Sequence, residues 1–397
     1  MRGKLKDVTF KNFVAIAFCA FIFVCGALTI AFNFREIFGG LYRGYKSAPK
    51  DSSLSEKLSS SISTFDKRMN EYFAFRDLAI DSYGGIQRIM DKHLIDDADP
   101  NYNVVKLNND YLTFKANGND DRTALMEYLL RINKTCNSVN SKLLFVNKLE
   151  KTTMDLELLP DYYPYQFSSN FYSVKAEMIS KGIDVLDLND MVAENGIDKY
   201  SLFYKTDHHW TTKTGVWISN CIAHRINEHY QIDFDFAKLN IENITVESHS
   251  SSFLGSQGTR TGSWYTSLDD FDYIYPNYPT NMDYVVRNKN ISLTGSFLDT
   301  ILYQKDYQEG YHAYMPATYD LTTLTNHESN NGKYAVFVTD SFGGVVAPFL
   351  SQTFQRTDCV DLRYFSDNLE EYIQTNKPDV VIYMVNWTDA VLHQDVI

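Results

Sequence analysis

"YAVFVTDSFGGVVAPFLSQTF", residues 334–354, decides the fold class. A five-residue apolar run, a Thr-Asp-Ser-Phe-Gly-Gly turn and an apolar helical stretch follow one another without a break, the opening of a βαβ unit. "CVDL" (359–362) supplies the next strand, "SDNLEEYIQTN" (366–376) the next helix and "DVVIYMV" (379–385) a third strand. Two successive βαβ units require a parallel sheet with helices on its faces. The same alternation runs upstream: "ALMEYLLRI" (124–132) as helix, "KLLFV" (142–146) as strand, "SNFYSVKAEMISKG" (169–182) as helix and "IDVLDL" (183–188) as strand. The reading is therefore α/β. Residues 236–330, rich in Tyr, Thr, Ser, Asn and Asp with short β-like runs, read as an irregular insertion or β excursion that shapes a substrate surface.

The other end of the chain has a different physics. "FVAIAFCAFIFVCGALTIAF", residues 13–32, is twenty residues without a charge, enough for a helix to cross a hydrocarbon core of roughly 30 Å. Arg2, Lys4, Lys6 and Lys11 precede it against Asp7 alone, which places residues 1–12 in the cytoplasm and the remainder outside. A cleaved signal peptide carries a shorter apolar core, so the expectation is an uncleaved single-pass anchor in the cell membrane. Residues 33–92 then read as stalk and helical lead-in, and 93–397 as the extracytoplasmic domain.

Beyond residue 50 the chain holds 29 Lys and Arg against 48 Asp and Glu. Nucleic acids and other polyanions need clustered cations on their partner, so this balance argues against them and is permissive for neutral polymers. Cys136, Cys221 and Cys359 are isolated, and no Cys-x-x-Cys pair exists to suggest a thiolate zinc site or a disulfide framework. No nucleotide or coenzyme A loop is visible, and no cofactor is expected.

"TDHHWTTKTG", residues 206–215, packs an aspartate and two histidines into three positions ahead of an amphipathic helix. A metal site, half of a nucleophilic triad and plain polar loop residues all fit that cluster taken alone. Three adjacent residues supply three facial metal ligands only awkwardly. An Asp-x-His pair, by contrast, presents a carboxylate and an imidazole to one spot, and a serine is a poor nucleophile until such a base takes its proton. Ser341 sits where that serine belongs, on a sharp turn above a strand end with helix N–H groups behind it. Asp and Ser at a helix start also serve as ordinary N-caps.

"YKTDHHWTTKTG", followed about 130 residues later by "VTDSFGG" and then "DLRYF" and "PDVVIYMVN", resembles the DHHW family and, more distantly, the SGNH-type proteins of alginate O-acetylation. With "EYFAFRD", "NVVKLNNDYLTF" and "GIDVLDL" the resemblance covers roughly four-fifths of the chain. It implies an SGNH-like three-layer domain, a parallel sheet between helices, with a triad of Ser341, His209 and Asp207 in which the Asp-x-His element precedes the serine. His208 becomes a residue that supports the loop or touches substrate, Trp210 an oxyanion or substrate-binding candidate, and Arg363 either a substrate-binding candidate or the partner of an acidic residue. The usual Gly-Asp-Ser reads Thr339-Asp340-Ser341 here, and no Gly-x-Asn-Asp block is present, so Asn386 is the nearest side-chain candidate for the oxyanion site, beside the Ser341 N–H. The activity implied is O-acetylation of a cell-surface polysaccharide, with a membrane-bound O-acyltransferase as partner. A carbohydrate esterase and a non-catalytic carbohydrate-binding scaffold are the alternatives.

Overall fold

The computed structural model describes residues 2–49, 52–115, 123–149, 151, 158–160, 171–287, 289–304, 310–314 and 320–385. The chain forms two compact units, Met1–Met90 and Asp91–Ile397.

The first unit is helical. Helix α1 (Arg2–Ser47) carries the apolar stretch, whose large side chains are exposed, Phe23 at 77% and Phe32 at 78%. An apolar helix of this length can cross a membrane. The helix bends at Asn33, where φ is −122°, and continues to Ser47. Helix α2 (Leu54–Glu71) starts on a capping box formed by Ser53 and Glu56 and returns along α1, with Ser60 Oγ donating to Gly44 O at 2.9 Å. Below the bend the Asn33 side chain donates to Tyr72 O, and the buried Thr29 accepts from the Ala74 N–H. Helix α3 (Arg76–Ile89) completes the unit.

The second unit opens with a small antiparallel sheet of β1 (Leu94–Ile95), β2 (Val104–Lys106) and β3 (Leu112–Phe114). Helix α4 (Thr123–Ser138), β4 (Lys142–Asn147), α5 (Phe171–Ser180), β5 (Asp184–Asp187), α6 (Leu188–Glu194) and α7 (Thr212–Tyr230) follow. Next come a two-stranded ribbon of β6 (Ile244–Phe253) and β7 (Asp269–Pro276), the short helix α8 (Gly258–Thr261) lying between them in the chain, then β8 (Met282–Val286), β9 (Ile291–Gly295), α9 (Phe297–Thr300) and β10 (Leu321–Asn326). The last part is β11 (Tyr334–Thr339), α10 (Gly343–Leu350), β12 (Arg356–Val360), α11 (Leu369–Asn376) and β13 (Val380–Met384).

Among the described residues the main sheet has eight strands in the order β5-β4-β13-β11-β12-β10-β8-β9. Its first five strands are parallel, as the repeated βαβ pattern predicts. β10, β8 and β9 join antiparallel, so the sheet is mixed rather than purely parallel. These three strands come from the 236–330 stretch, whose short β-like runs read as an irregular insertion or a β excursion.

Alternation along the parallel strands builds two cores. Leu144, Val146, Ala335, Phe337, Val380 and Ile382 face α7 and α10. Leu143, Phe145, Val336, Val338, Val381 and Tyr383 face α4 and α11. From β11 the chain passes by α10 to β12 on one side, then by α11 to β13 on the other, so the strand order reverses at β11. Crevices above the carboxyl ends of such strands are where α/β sheets place their sites. Ser341 lies two residues past the end of β11.

Candidate active site

Ser341 is half-buried at the turn between β11 and α10. Two contacts hold the turn: Asp340 Oδ1 accepts from the Phe342 N–H at 3.0 Å, and Lys148 Nζ donates to Asp340 Oδ2 at 2.9 Å. Lys148 follows β4 directly, is itself buried, and sits 3.7 Å from the centre of the Phe342 ring. Burial works against ionisation of Asp340, yet the charge and hydrogen bond of Lys148, the Phe342 N–H and the charge of Arg363 hold its carboxyl below the usual range.

The Asp-His element reaches the same point from α7. Thr211 caps that helix by accepting from the Thr214 N–H, and Gly215 lets it approach α10 so closely that a Cβ there would lie 2.5 Å from Val345 Cγ1. One residue before the cap is Trp210, and before that His209. His209 Nε2 lies 2.8 Å from Ser341 Oγ, and its Nδ1 lies 2.6 Å from Asp207 Oδ1. Since a carboxylate only accepts, Nδ1 carries the hydrogen and Nε2 is free to accept from the serine hydroxyl. Tyr311 stacks on the imidazole at 4.2 Å and donates its hydroxyl to Phe342 O, fixing the ring from behind.

Asp207 is enclosed by a loop that sequence spacing does not reveal. Its Oδ1 also accepts from the His209 N–H, and its Oδ2 from the Ser256 N–H at 2.6 Å. A Cβ on Gly255 would sit 2.2 Å from Asp207 Cβ, so only glycine fits against the carboxylate's own backbone. Burial opposes ionisation of Asp207, but attraction to and hydrogen bonding by His209, with His208 and the Ser256 N–H, hold it well below the usual carboxylate range. The preceding Thr206 is clamped by Asp269, which accepts from its N–H and its hydroxyl, and Thr206 O accepts from the Gln257 and Gly258 N–H groups.

Lys151, fully buried, closes the clamp by donating to Tyr204 O, Lys205 O and Gln257 Oε1 at 2.9, 3.3 and 3.0 Å. Burial pushes its ammonium down to about 7 against the pull of Asp207 and Asp269. A depressed lysine penalises the fold in full below that value, where folded and unfolded chains both hold the proton. Between 7 and the ordinary 10.5 the folded chain sheds it first, so stability from this group rises with pH. The unfolding midpoint of the parent should therefore gain on that of Lys151→Met between about pH 6.5 and about pH 9.5. A difference that is flat or shrinks with pH contradicts the assignment.

The other residues singled out from the sequence fall in distinct places. His208 is half-buried, stacks near His209 with ring centres 3.8 Å apart, and shares a hydrogen bond between Nδ1 and Ser256 Oγ at 2.6 Å. Burial and the neighbouring His209 hold it neutral, down to about 3. Trp210 is fully buried, its ring 4.8 Å from that of Phe342, so it supports the serine turn from below and does not face a ligand. Arg363 makes a bidentate pair with Asp361 at 3.0 and 2.8 Å. Asn386 lies outside the described residues. Asp207, His208 and His209 offer ligand atoms within 4.8 Å of one another, the one such cluster among the described residues. Both ring nitrogens of His209 and one of His208 are already engaged by Asp207, Ser341 and Ser256.

Residues 108–265 match the family model for the SGNH hydrolase-like domain of the acetyltransferase AlgX. No curated protein sequence matches the chain. Among solved structures, a DHHW family protein from Eubacterium siraeum is similar at 17% identity and a TM-score of 0.56, over 75% of this chain and 95% of its own. PatB1 of Bacillus cereus, solved with a sulfonyl adduct, is similar at 17% identity and a TM-score of 0.58, over 72% of this chain and 95% of its own. At such identity the structural likeness is one of fold, and the fold is SGNH-like. The DHHW and AlgX resemblance read from the Asp-His-His-Trp stretch is borne out.

Proposed function

We propose that the chain is a membrane-anchored O-acetyltransferase acting on a cell-surface polysaccharide, with Ser341 as nucleophile, His209 as general base and acid, and Asp207 as the group that orients and stabilises the imidazolium. The observation that carries this reading is the unbroken hydrogen-bonded run from Asp207 through His209 to a serine at a strand-to-helix turn. The AlgX family match supports the acetyl chemistry.

In this mechanism Ser341 Oγ attacks the acyl carbonyl carbon while its proton passes to His209 Nε2. Asp207, kept ionised, stabilises the imidazolium. The Ser341 N–H and Asn386 are the proposed donors to the oxyanion. Collapse expels the donor's oxygen, which takes the proton from Nε2 and leaves acetyl-Ser341. A sugar hydroxyl then attacks that ester, giving its proton to Nε2; the bond between the acyl carbon and Ser341 Oγ breaks, and Oγ takes the proton back from Nε2. His208, neutral, adds no competing charge beside Nε2. Arg363, spent on Asp361, acts by fixing the β12–α11 loop and by its field on Asp340.

The apolar part of α1 is the proposed single-pass anchor, with residues 1–12 cytoplasmic and the second unit outside. A domain in that place needs its acetyl groups carried across the membrane, the task assigned to a membrane-bound O-acyltransferase partner. PatB1 accepts a sulfonyl group, so a sulfonyl fluoride is the probe to use here. The full chain should be labelled and Ser341→Ala should not. The acetyl content of surface polysaccharide, by NMR, should fall in cells carrying Ser341→Ala. Higher acetylation in those cells reverses the reading to an esterase, and a parent chain that takes no label replaces it with the scaffold.

A further inference from the structure

A row of side chains leads away from the serine that the chemistry above does not use. His208 is followed by Phe114, at the end of β3, with ring centres 5.7 Å apart. Phe114 is followed by Tyr102, again at 5.7 Å and edge to face. The guanidinium of Arg260 lies 4.1 Å from the centre of the Tyr102 ring and 5.9 Å from that of Phe114. Tyr102 is 43% exposed, while Phe114 is anchored in the small core of Ile95, Val104, Leu112 and Tyr265. The row is thus rigid at its root and open at its surface.

Its charge is as informative as its shape. Arg260 is paired with Asp97 at 2.7 Å, and His208 is held neutral. A row of rings without net charge, in a unit with far more carboxylates than cations, offers faces to rest on and no field to hold an anion. Pyranose rings present flat C–H faces that pack on aromatic rings, and hydroxyls that the planar guanidinium and the Tyr102 hydroxyl can meet. Arg260 also belongs to α8, which starts two residues after Ser256, whose N–H is bonded to Asp207. The segment that holds the Asp207 carboxylate thus also carries Arg260.

We propose that His208, Phe114, Tyr102 and Arg260 form the acceptor subsite, a ledge on which an uncharged hexose polymer lies with its hydroxyl directed to acetyl-Ser341. This inference rests on the transferase reading and goes beyond it, since it names the acceptor's chemical class and the residues that select it.

The test uses the full chain in detergent with 4-nitrophenyl acetate as donor and two acceptors, a neutral gluco-oligosaccharide and an oligouronate of similar length. The neutral oligosaccharide should receive acetyl in preference to the oligouronate. Tyr102→Ala and Phe114→Leu, the second keeping apolar volume in the small core, should each cut transfer by about five- to ten-fold through a raised acceptor KM, with hydrolysis of the small ester unchanged. Saturation-transfer NMR on Ser341→Ala reads acceptor binding without chemistry, and the two ledge substitutions should weaken it there as well. Preference for the oligouronate, or transfer and binding indifferent to both substitutions, overturns the ledge. A parent chain without Ser341-dependent turnover that still binds the neutral oligosaccharide through Tyr102 would overturn the transferase reading and leave the ledge standing.

Discussion

Ser341→Ala should abolish ester turnover, with a fall of three to six orders of magnitude, on the order of what removing a triad nucleophile costs elsewhere. The reason is local. Oγ is the atom 2.8 Å from His209 Nε2, and nothing else at the turn replaces it as a nucleophile. The fold should not suffer, because the turn is held by Asp340, Lys148 and the Phe342 N–H, none of which uses the serine hydroxyl. Initial rates with a chromogenic acetyl ester, together with the unfolding midpoint, check both halves. Turnover within about three-fold of the parent, with the midpoint unchanged, removes Ser341 from the mechanism.

His209→Ala and His208→Ala should part by at least about a thousand-fold, although the residues are adjacent. Only His209 connects Asp207 to Ser341, and its loss should match the serine substitution. His208 turns its Nδ1 to Ser256 Oγ, away from the nucleophile, so its loss should loosen the loop and the ledge and cost about ten-fold. Adding imidazole separates the roles further: it should restore part of the rate to His209→Ala, where a base is missing, and none to His208→Ala. The reverse ordering, with His208→Ala inactive and His209→Ala active, would mean that the base has been assigned to the wrong ring.

What the sequence reveals and what it conceals follow from how each residue is buried. Strands β11 and β13 lie between two helical layers, so both faces are apolar and the runs stand out from their neighbours, whereas β12, buried beside them, reads Arg-Thr-Asp-Cys-Val and shows only its apolar end. β8 alternates buried with more exposed residues and β9, at the sheet edge, half-buried with exposed ones, and Asp, Tyr, Ser and Thr at those positions look like loop. The Asp-x-His and Ser341 elements carry their own spacing and were legible. Gly255, Ser256 and Asp269 were not, because a backbone N–H and a clamp on Thr206 leave no trace in side-chain pattern. Lys148 and Lys151 carry no mark in the sequence that sets them apart from other lysines, and only their partners, Asp340 and the carbonyls of residues 204 and 205, show why they are buried. Trp210 read as a substrate-binding candidate, and its full burial against Phe342 corrects that reading.

Gly255 gives the site an inherited marker. Its missing side chain serves the Asp207 carboxylate and no part of the sheet or of either core. A duplicated copy released from selection for chemistry would keep the apolar strands, which folding still demands, while position 255 became free to take up any residue that a relaxed loop could hold. Such a copy would look intact by fold and by most of its sequence, and the first sign of its retirement would be a side chain where none can coexist with Asp207 in its present place. Sorting working copies from retired ones in a genome thus comes down to a position that performs no chemistry itself.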